Sequence, residues 1–307
     1  MLKTVLGNIS ANEVGAALCH EHICCYSEYL YMMSGRDYLD FEKLEDRAVA
    51  ELKRLKEKYG LNMFVDCTPV NIGRNVELLR RVSEKSGVYI VCSPGFYYND
   101  EPVLFASSAE SLAEHIIKDA KNINAGVIKA AAENEALNNF NVKLLTAAAM
   151  AQKELGLPLV VHTNANNRNG LKVLEGLSEI GVKPEEIMIG HLSDTENTDY
   201  ILEIAKSGCY IGFDRLYDNK SDEYIAKKVN AVLRLCDEGF ENKILLSHDD
   251  SFFNGFEASP IIKINTRFPY VFECLKPRLP ETVFRKIIHQ NPIDMLNLGS
   301  ENESDNI

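Results

Sequence analysis

One repeating unit, a short apolar run followed by an amphipathic helix, most restricts the folds that this chain can adopt. Eight apolar runs of four to six residues occur along its 307 residues, and a helical pattern follows each of them. Because the runs are apolar throughout rather than alternating, they are typical of strands buried on both faces of a parallel sheet. The segments that carry them are 16–22, 61–69, 88–92, 125–130, 159–162, 187–191, 209–214 and 244–249.

The helical patterns between these runs repeat apolar residues at steps of three and four, as an amphipathic helix does. Gly60, Gly87 and Gly156 stand where three of the patterns end, which suits the left-handed conformation of a helix C-cap. The helices are predicted over 41–59, 75–86, 108–122, 141–155, 168–179, 196–207, 221–238 and 281–289. Long loops are expected over 24–40 and 251–263, and a frayed polar tail over 301–307.

Eight strand–helix units predict an α/β fold, a closed (β/α)8 TIM barrel that residues 1–300 form as a single domain. The alternative is an open, doubly wound sheet. No glycine-rich phosphate-binding fingerprint follows the first run, which disfavours a dinucleotide-binding version of that alternative.

Composition and charge restrict the classes of partner that the protein can bind and the compartment in which it is expected. The net charge of −12 disfavours nucleic acid or an anionic membrane as a partner. No apolar run reaches the length of a membrane span, and the first seven residues are too short and mixed for a secretory signal. The eight cysteines show no repeated spacing and fall mainly in apolar runs, which indicates buried, reduced thiols. We therefore expect a cytoplasmic protein.

Ionisable residues concentrate where the apolar runs end, and catalytic groups gather at this end of barrel strands. Five of the seven histidines lie there, whereas His115 and His289 fall on predicted helices. His20 and His22 are two residues apart, so both imidazoles point to the same face of an extended strand. The residues at these ends are His20, His22, Lys129, His162, His191, His248, Asp249 and Asp250.

Each of these residues has a structural alternative when it is taken alone. A histidine at a strand end is commonly hydrogen-bonded, Lys129 could extend outward, and Asp249 could cap a helix. Taken together, several imidazoles and a carboxylate converging on one barrel mouth predict a metal site. Lys129 fits that site only after a change in its chemistry, because an ammonium group has no lone pair to offer a cation.

Nearly the whole chain, from Thr4 to about Met295, resembles the phosphotriesterase family of the amidohydrolase superfamily. The His20-Glu21-His22 motif alone is shared with many related hydrolases and deaminases, so the resemblance depends on the complete set. The matching segments are 4–7, 20–23, 65–69, 73–75, 95–98, 126–130 with Glu133, 161–164, 189–191, 193–195, 246–249 and 291–292.

The resemblance implies a binuclear metal centre with two divalent ions, Zn²⁺ by default. A carbamate formed from CO₂ on Lys129 and a hydroxide would bridge the ions, and Asp249 would take the proton of the attacking hydroxide. The implied ligands are His20, His22 and Asp249 for one ion, His162 and His191 for the other, and Lys129 for both.

Tyr97 stands where lactone-hydrolysing members of the family have a tyrosine, so the resemblance implies a lactonase with Tyr97 and Tyr98 near the substrate. A phosphotriesterase or carboxylesterase acting through the same site is the alternative, and a non-catalytic metal-bound barrel is another. Lys129 disfavours a mononuclear deaminase. The segment 24–40 and Asp250 depart from the family pattern, which leaves the usual acyl-chain specificity open.

A phosphorylated sugar lactone is a further expectation, because loops after the eighth strand of barrels commonly bind phosphate. Arg267 offers a planar fork for phosphate oxygens, Tyr270 a hydroxyl, and Arg215 could approach from the side. Alternatively, Arg267 pairs with a surface carboxylate and Tyr270 packs under the barrel rim. The expected partner is thus a small molecule, with a homodimer implied by the family.

Overall fold

The structure, a computed structural model, describes residues 1–99, 101–133, 137–216 and 221–298. The tail predicted at 301–307 lies outside these ranges. Within them, none of the helices combines the length and apolar character that crossing a membrane requires.

The described residues form eleven strands and eleven α-helices, and strands alternate with helices through most of the chain. The strands are β1 Leu2–Thr4, β2 Gly7–Ile9, β3 Ala16–Cys25, β4 Leu61–Asp66, β5 Tyr89–Cys92, β6 Ile128–Ala131, β7 Leu159–His162, β8 Ile187–Ile189, β9 Tyr210–Phe213, β10 Ile244–Leu246 and β11 Ser251–Asn254. The helices are α1 Glu28–Ser34, α2 Phe41–Tyr59, α3 Val76–Ser86, α4 Pro102–Ala106, α5 Ala109–Ile123, α6 Asn139–Leu155, α7 Gly170–Glu179, α8 Thr198–Ala205, α9 Asp222–Asp237, α10 Glu281–Arg285 and α11 Asn291–Asn297.

Two parallel sheets organise the fold, with strand orders β10-β9-β8-β7-β6 and β11-β3-β4-β5. Backbone hydrogen bonds also run between them. At one junction Lys129 N–H donates to the carbonyl of Pro94 (2.9 Å), and at the other Asp249 N–H donates to the carbonyl of His20 (3.1 Å). A short antiparallel hairpin, β1–β2, precedes the first sheet. The parallel α/β fold expected from the repeating unit is confirmed.

The helices begin and end at residues that satisfy their free backbone groups. Asp40 accepts hydrogen bonds from the first turn of α2, and Asn75 and Ser108 do so for α3 and α5. Gly60 and Gly87 end α2 and α3 in the left-handed conformation, as their positions predicted. Local capping therefore accounts for the close match between predicted and observed helix bounds.

Apolar side chains of the strands divide between two cores. The larger core lies between strands and helices and contains residues such as Leu18, Phe64 and Ile128. The smaller core contains alternate residues of the strands, including Met63 and Val160. Because successive side chains of a strand point to opposite faces, both faces of the sheets are buried. This explains why the runs are apolar throughout.

Two segments predicted as loops contain regular structure. In 24–40, Ser27 caps α1, but none of the residues of this helix is buried. A helix with no buried face leaves no apolar periodicity, which is why the sequence did not reveal it. In 251–263, β11 adds to the edge of β3, with Ser251 opposite His22 and Asn254 opposite Cys25. This pairing brings the loop after the eighth strand against the first His-x-His strand.

Gly95 follows β5 by three residues, and its backbone pairs with that of Lys129 in β6 through a parallel bridge. Its φ of 116° lies in a region that L side chains rarely adopt, and a Cβ there would lie 2.0 Å from the carbonyl oxygen of Lys129. Gly7 has a similar φ of 113° with no atom near the Cβ position. The two glycines thus share a backbone conformation, but only Gly95 has other atoms close to the position that a Cβ would occupy.

We expect Gly95→Ala to destabilise the protein more than Gly7→Ala. The Gly7 variant carries the conformational cost alone, about 1–3 kcal/mol. The Gly95 variant adds a steric cost of about 1–3 kcal/mol, because backbone rather than a flexible side chain must move. Denaturant unfolding of both variants measures the difference, and equal losses would show that the junction tolerates a side chain.

Candidate metal centre

The six predicted ligands converge where the parallel strands end. His20 and His22 lie on β3, Lys129 lies on β6, and His162 ends β7. The other two follow β8 and β10: His191 and Asp249 have φ angles of 66° and 48°. A positive φ is unusual for residues other than glycine, and it turns both side chains into the site.

The inner donor atoms of these residues face one another at short range. His22 Nε2 lies 3.0 Å and His20 Nε2 3.6 Å from Asp249 Oδ1. His191 Nε2 lies 2.7 Å from His162 Nδ1, and Lys129 Nζ lies 2.6 Å from His20 Nε2. The geometry therefore brings all the predicted ligands into one cluster.

The outer nitrogen of each imidazole is held by an oxygen atom. Asp214 contacts Nδ1 of both His20 (2.5 Å) and His191 (3.2 Å). Thr68 Oγ1 lies 2.8 Å from His22 Nδ1, and Glu133 Oε2 lies 2.6 Å from His162 Nε2. A proton on each outer nitrogen satisfies these contacts, so every inner nitrogen presents a lone pair. Outer-shell partners of this kind accompany most histidine ligands of metal ions.

The pKa shifts favour neutral imidazoles at His20, His162 and His191. At His22, burial lowers the pKa, but contacts with Cys25 and Asp249 outweigh it and raise the pKa well above its usual range. Burial, with Lys129 adding a like charge, lowers the pKa of His20 to about 4. Burial alone would raise the pKa of Asp214, but His191 and His20 hold it well below its usual range. Loss of solvation also opposes ionisation of Asp249, and the same two imidazoles keep its pKa low. Neutral imidazole and ionised carboxylate are the forms that bind metal ions.

The donor set fits a divalent cation. His20, His22 and Asp249 each offer a ligand atom within 4.8 Å of the others. A second grouping, of His20, His191 and Asp214, meets the same criterion. That grouping uses the outer nitrogens that Asp214 already holds, so Asp214 orients the imidazoles while the inner nitrogens remain for the ions. Imidazole and carboxylate donors suit Zn²⁺ and its neighbours among the transition metals.

A cavity of about 330 Å³ opens directly above these donors. Arg215, a predicted substrate residue, lines it and donates to Asp249 Oδ2 (2.8 Å) and Asp194 Oδ2 (2.9 Å). Tyr97 lines it with its hydroxyl 3.5 Å from His162 Nδ1, and Tyr98 packs behind Tyr97 without lining the cavity. The lining residues are His22, Cys25, Ile72, Tyr97, Asn99, Lys129, His162, Arg215, Asp249, Ser251, Asn254 and Phe256.

Arg267 and Tyr270, which the sequence predicted as substrate-binding residues, do not line this cavity. Both line a separate cavity of about 450 Å³ with Glu51. The reason is Asp250, whose carboxylate accepts a hydrogen bond from Arg267 N–H (2.7 Å) and pairs with Lys263 (2.8 Å). These contacts hold the segment on the flank of the fold. Tyr270 is buried, as the alternative interpretation of that residue proposed.

His248 shares the strand end but does not face the cluster. Its Nδ1 lies 2.7 Å from Glu21 Oε1, and its Nε2 accepts a hydrogen bond from Val271 N–H. Glu21 also accepts hydrogen bonds from the backbone N–H groups of His248 and Asp250. Glu21 and His248 therefore fix the backbone on both sides of Asp249, from behind the centre.

Sequence reasoning missed Asp214, although the rule that found the other residues also applies to it. Asp214 follows the apolar run of β9, as His162 ends that of β7. Thr68, which contacts His22, carried no comparable signal, because its side chain is uncharged.

Fold and site together define an α/β protein with a histidine-rich cluster that could hold metal ions at the carboxyl ends of parallel strands. Comparison with known proteins makes this specific: residues 1–294 match the family model of the phosphotriesterase family, and the chain belongs to that family. The family resemblance drawn from the sequence is confirmed.

Several curated proteins are similar over most of their length. Aryldialkylphosphatase of Saccharolobus solfataricus is 36% identical over 250 residues, which cover 79% of this chain and 79% of that protein. A phosphotriesterase homology protein of Mycobacterium tuberculosis is 28% identical over 298 residues, 91% of each chain. N-acetyltaurine hydrolase of Homo sapiens is 27% identical over 292 residues, 81% of this chain and 83% of that protein.

We expect Asp214→Asn to weaken metal binding on the order of 10–100-fold, the usual effect of losing an outer-shell carboxylate. An amide can accept from only one of the two imidazoles that Asp214 contacts, so at least one ring loses its orientation. Competition with a chromophoric chelator measures the affinity. Asp199→Asn is the control, because Asp199 is an exposed carboxylate paired with Arg234. Unchanged affinity in the Asp214 variant would contradict the orienting role.

Proposed function

We propose that the protein is a binuclear metal-dependent hydrolase that opens the ring of a lactone. One observation carries this proposal: four imidazoles with their outer nitrogens held turn their inner nitrogens into one cluster with Asp249 and Lys129. A cavity opens on this cluster, lined by its members His22, Lys129, His162 and Asp249. Membership of the phosphotriesterase family supports hydrolysis as the reaction class.

We also propose that the two sheets close into one eight-stranded (β/α)8 barrel. Hydrogen bonds join β5 to β6 through Pro94 and Lys129, and join β10 to β3 through His20 and Asp249. The smaller core of alternate strand residues is then the barrel interior. Closure accounts for the convergence of the ligands, because the carboxyl ends of all eight strands then surround one mouth.

In this site His20, His22 and Asp249 would hold one divalent cation, and His162 and His191 a second. Lys129 would contact both as its carbamate. When bound, the two ions, Zn²⁺ by default, supply a water of lowered pKa as nucleophile and a Lewis acid for the carbonyl oxygen.

The remaining steps fall to the side chains of the cavity. Asp249, kept ionised, can accept the proton of the attacking water and pass it to the leaving oxygen. Arg215 holds its other carboxylate oxygen and so keeps it aimed at the centre. Burial raises the pKa of Tyr97, so its hydroxyl stays protonated and can donate a hydrogen bond to the substrate carbonyl.

A phosphotriester is the second candidate substrate. The similarity to a protein named aryldialkylphosphatase favours it. A tetrahedral carbonyl intermediate and a pentacoordinate phosphorus state need similar charge stabilisation, so one site can act on both. We favour the lactone because Tyr97 lies beside His162 at the cavity wall, where it can reach a flat carbonyl group.

We expect Lys129→Ala to lose the second metal ion and nearly all turnover, because the bridging ligand is gone. Short carboxylic acids, added with bicarbonate excluded, should restore part of the activity by occupying the vacated space. Lys129→Arg is the matched control: it keeps the positive charge, cannot form a stable carbamate and leaves no such space. Metal analysis of wild-type protein should give two ions per chain. Full turnover in the alanine variant would rule out the bridge.

We expect a higher kcat/KM for lactones than for aryl phosphotriesters, measured side by side on one preparation. Tyr97→Phe should slow lactone turnover by a factor that corresponds to about 0.5–1.5 kcal/mol of activation free energy, the net contribution of one hydrogen bond. Tyr89→Phe is the control, because the Tyr89 hydroxyl bonds to Glu13 on the surface. A preference for the phosphotriester, with Tyr97→Phe without effect, would favour the second candidate.

A further inference from the structure

A cavity of about 320 Å³ lies outside the metal centre, between α9 and the start of α8. Four of its lining residues, Lys227, Asn230, Ala231 and Arg234, recur at steps of three and four along α9 and therefore share one face of that helix. The short side chain of Ala231 leaves room between its longer neighbours. We call this space the α9 cavity.

Positive charge predominates in the wall of the α9 cavity. Lys227, Lys228 and Arg234 line it, and Glu196 is the only carboxylate among the lining residues that the structure describes. Three cations against one carboxylate leave two positive charges, in a chain whose net charge is −12. Neutral side chains that can donate hydrogen bonds also line the cavity: Thr195, Thr198 and Asn230. Such a wall suits an anion with several acceptor oxygens.

Lys228 is the buried cation of this cavity, with 6% of the residue exposed. Its Nζ donates a hydrogen bond to the carbonyl of Ser193 and lies 5.2 Å from the centre of the Tyr224 ring. Lys228 forms no ion pair with any residue that the structure describes, and burial lowers its pKa. A buried ammonium is costly without an opposite charge, and an anion in the α9 cavity would supply one.

The other two cations pair with exposed carboxylates. Lys227 Nζ lies 3.0 Å from Glu196 Oε1 and 3.3 Å from Glu223 Oε1, and Arg234 Nη2 lies 2.6 Å from Asp199 Oδ1. Each of these carboxylate side chains is at least 68% exposed, and ion pairs in contact with solvent contribute little to stability. Both cations can therefore turn to a bound anion at small cost.

The α9 cavity and the cavity above the metal centre are separate. No residue that the structure describes lines both. They are linked through Ser193, whose carbonyl Lys228 holds and whose Oγ accepts a hydrogen bond from Arg215 N–H (2.8 Å). Arg215 in turn donates to Asp249. A ligand of the α9 cavity is therefore distinct from the substrate, although it would lie beside the segment that positions Arg215.

We propose that the α9 cavity binds a phosphate group, as free phosphate or as a small phosphate monoester. A phosphate group at neutral pH carries close to two negative charges, which match the two excess positive charges of the wall. The guanidinium of Arg234 offers a planar fork for phosphate oxygens, and the two lysines offer point charges. A volume of about 320 Å³ admits a small organic group beside the phosphate. This site is independent of the proposed lactonase reaction.

Isothermal titration of the metal-loaded protein with inorganic phosphate, at an ionic strength held constant with sodium chloride, tests this site. Wild-type protein should bind phosphate saturably, and Lys228→Met should weaken that binding by about 10–100-fold, because a charge-assisted contact is lost. Lys53→Met, which removes an exposed lysine of α2, is the matched control and should leave the affinity unchanged. Glycerol 3-phosphate distinguishes the two sources: tighter binding than inorganic phosphate supports a monoester as the ligand, and equal or weaker binding supports free phosphate.

Ala231→Glu provides a second variant, which keeps all three cations and places a carboxylate in the α9 cavity. It should abolish the same binding through charge repulsion, and circular-dichroism melting shows that both variants are folded. Phosphate that binds both folded variants with unchanged affinity would lie elsewhere, for example on the metal ions, and would overturn the proposal. Absence of saturable phosphate binding by wild-type protein would overturn it as well.

Discussion

The buried carboxylate of Asp214 is the contact on which the geometry of the site depends. It accepts hydrogen bonds from the ring nitrogens of His20 and His191 and from the backbone N–H of His191. A buried charge is costly unless it is paired and fully hydrogen-bonded, so these three contacts are what allow Asp214 to remain ionised. Asp214, which directly follows β9, therefore fixes the imidazoles of His20 on β3 and of His191 after β8.

The same principle extends to the backbone. His191 and Asp249 adopt positive φ angles, a strained conformation that persists only where surrounding contacts determine it. Asp214 holds the N–H group of His191, and the carbonyl of His20 holds that of Asp249. Glu21 secures the residues on either side of Asp249. The site is thus positioned by hydrogen bonds between strand ends, and a small rearrangement of one strand would disturb several ligands at once.

The sequence predicted those parts of the structure that follow from local patterns. Helix α2 matches its predicted bounds because Asp40 and Gly60 cap a strongly periodic segment, and the ligands were found because they end apolar runs. Helix α1 was missed because it has no buried face. The position of Arg267 outside the cavity depends on Asp250, a contact between residues 17 apart that no local pattern reports. Asp214 satisfies the same rule as the predicted ligands, because it directly follows the apolar run of β9.

Local patterns predicted the candidate metal ligands but not the residues that surround the substrate, and this difference has a physical cause. Metal ligands lie on strand ends, where parallel pairing forces them together whatever the loops do. The cavity wall instead includes residues from several loops, such as Tyr97 after β5, Arg215 after β9 and Phe256 after β11. Two of these segments contact each other where Tyr38 donates a hydrogen bond to the carbonyl of Gly255. That contact joins residues 217 apart, and Cys25 and Phe256 stand on either side of it. Reaction class can therefore be inferred from the strands alone, whereas substrate size and polarity depend on how two distant loops meet.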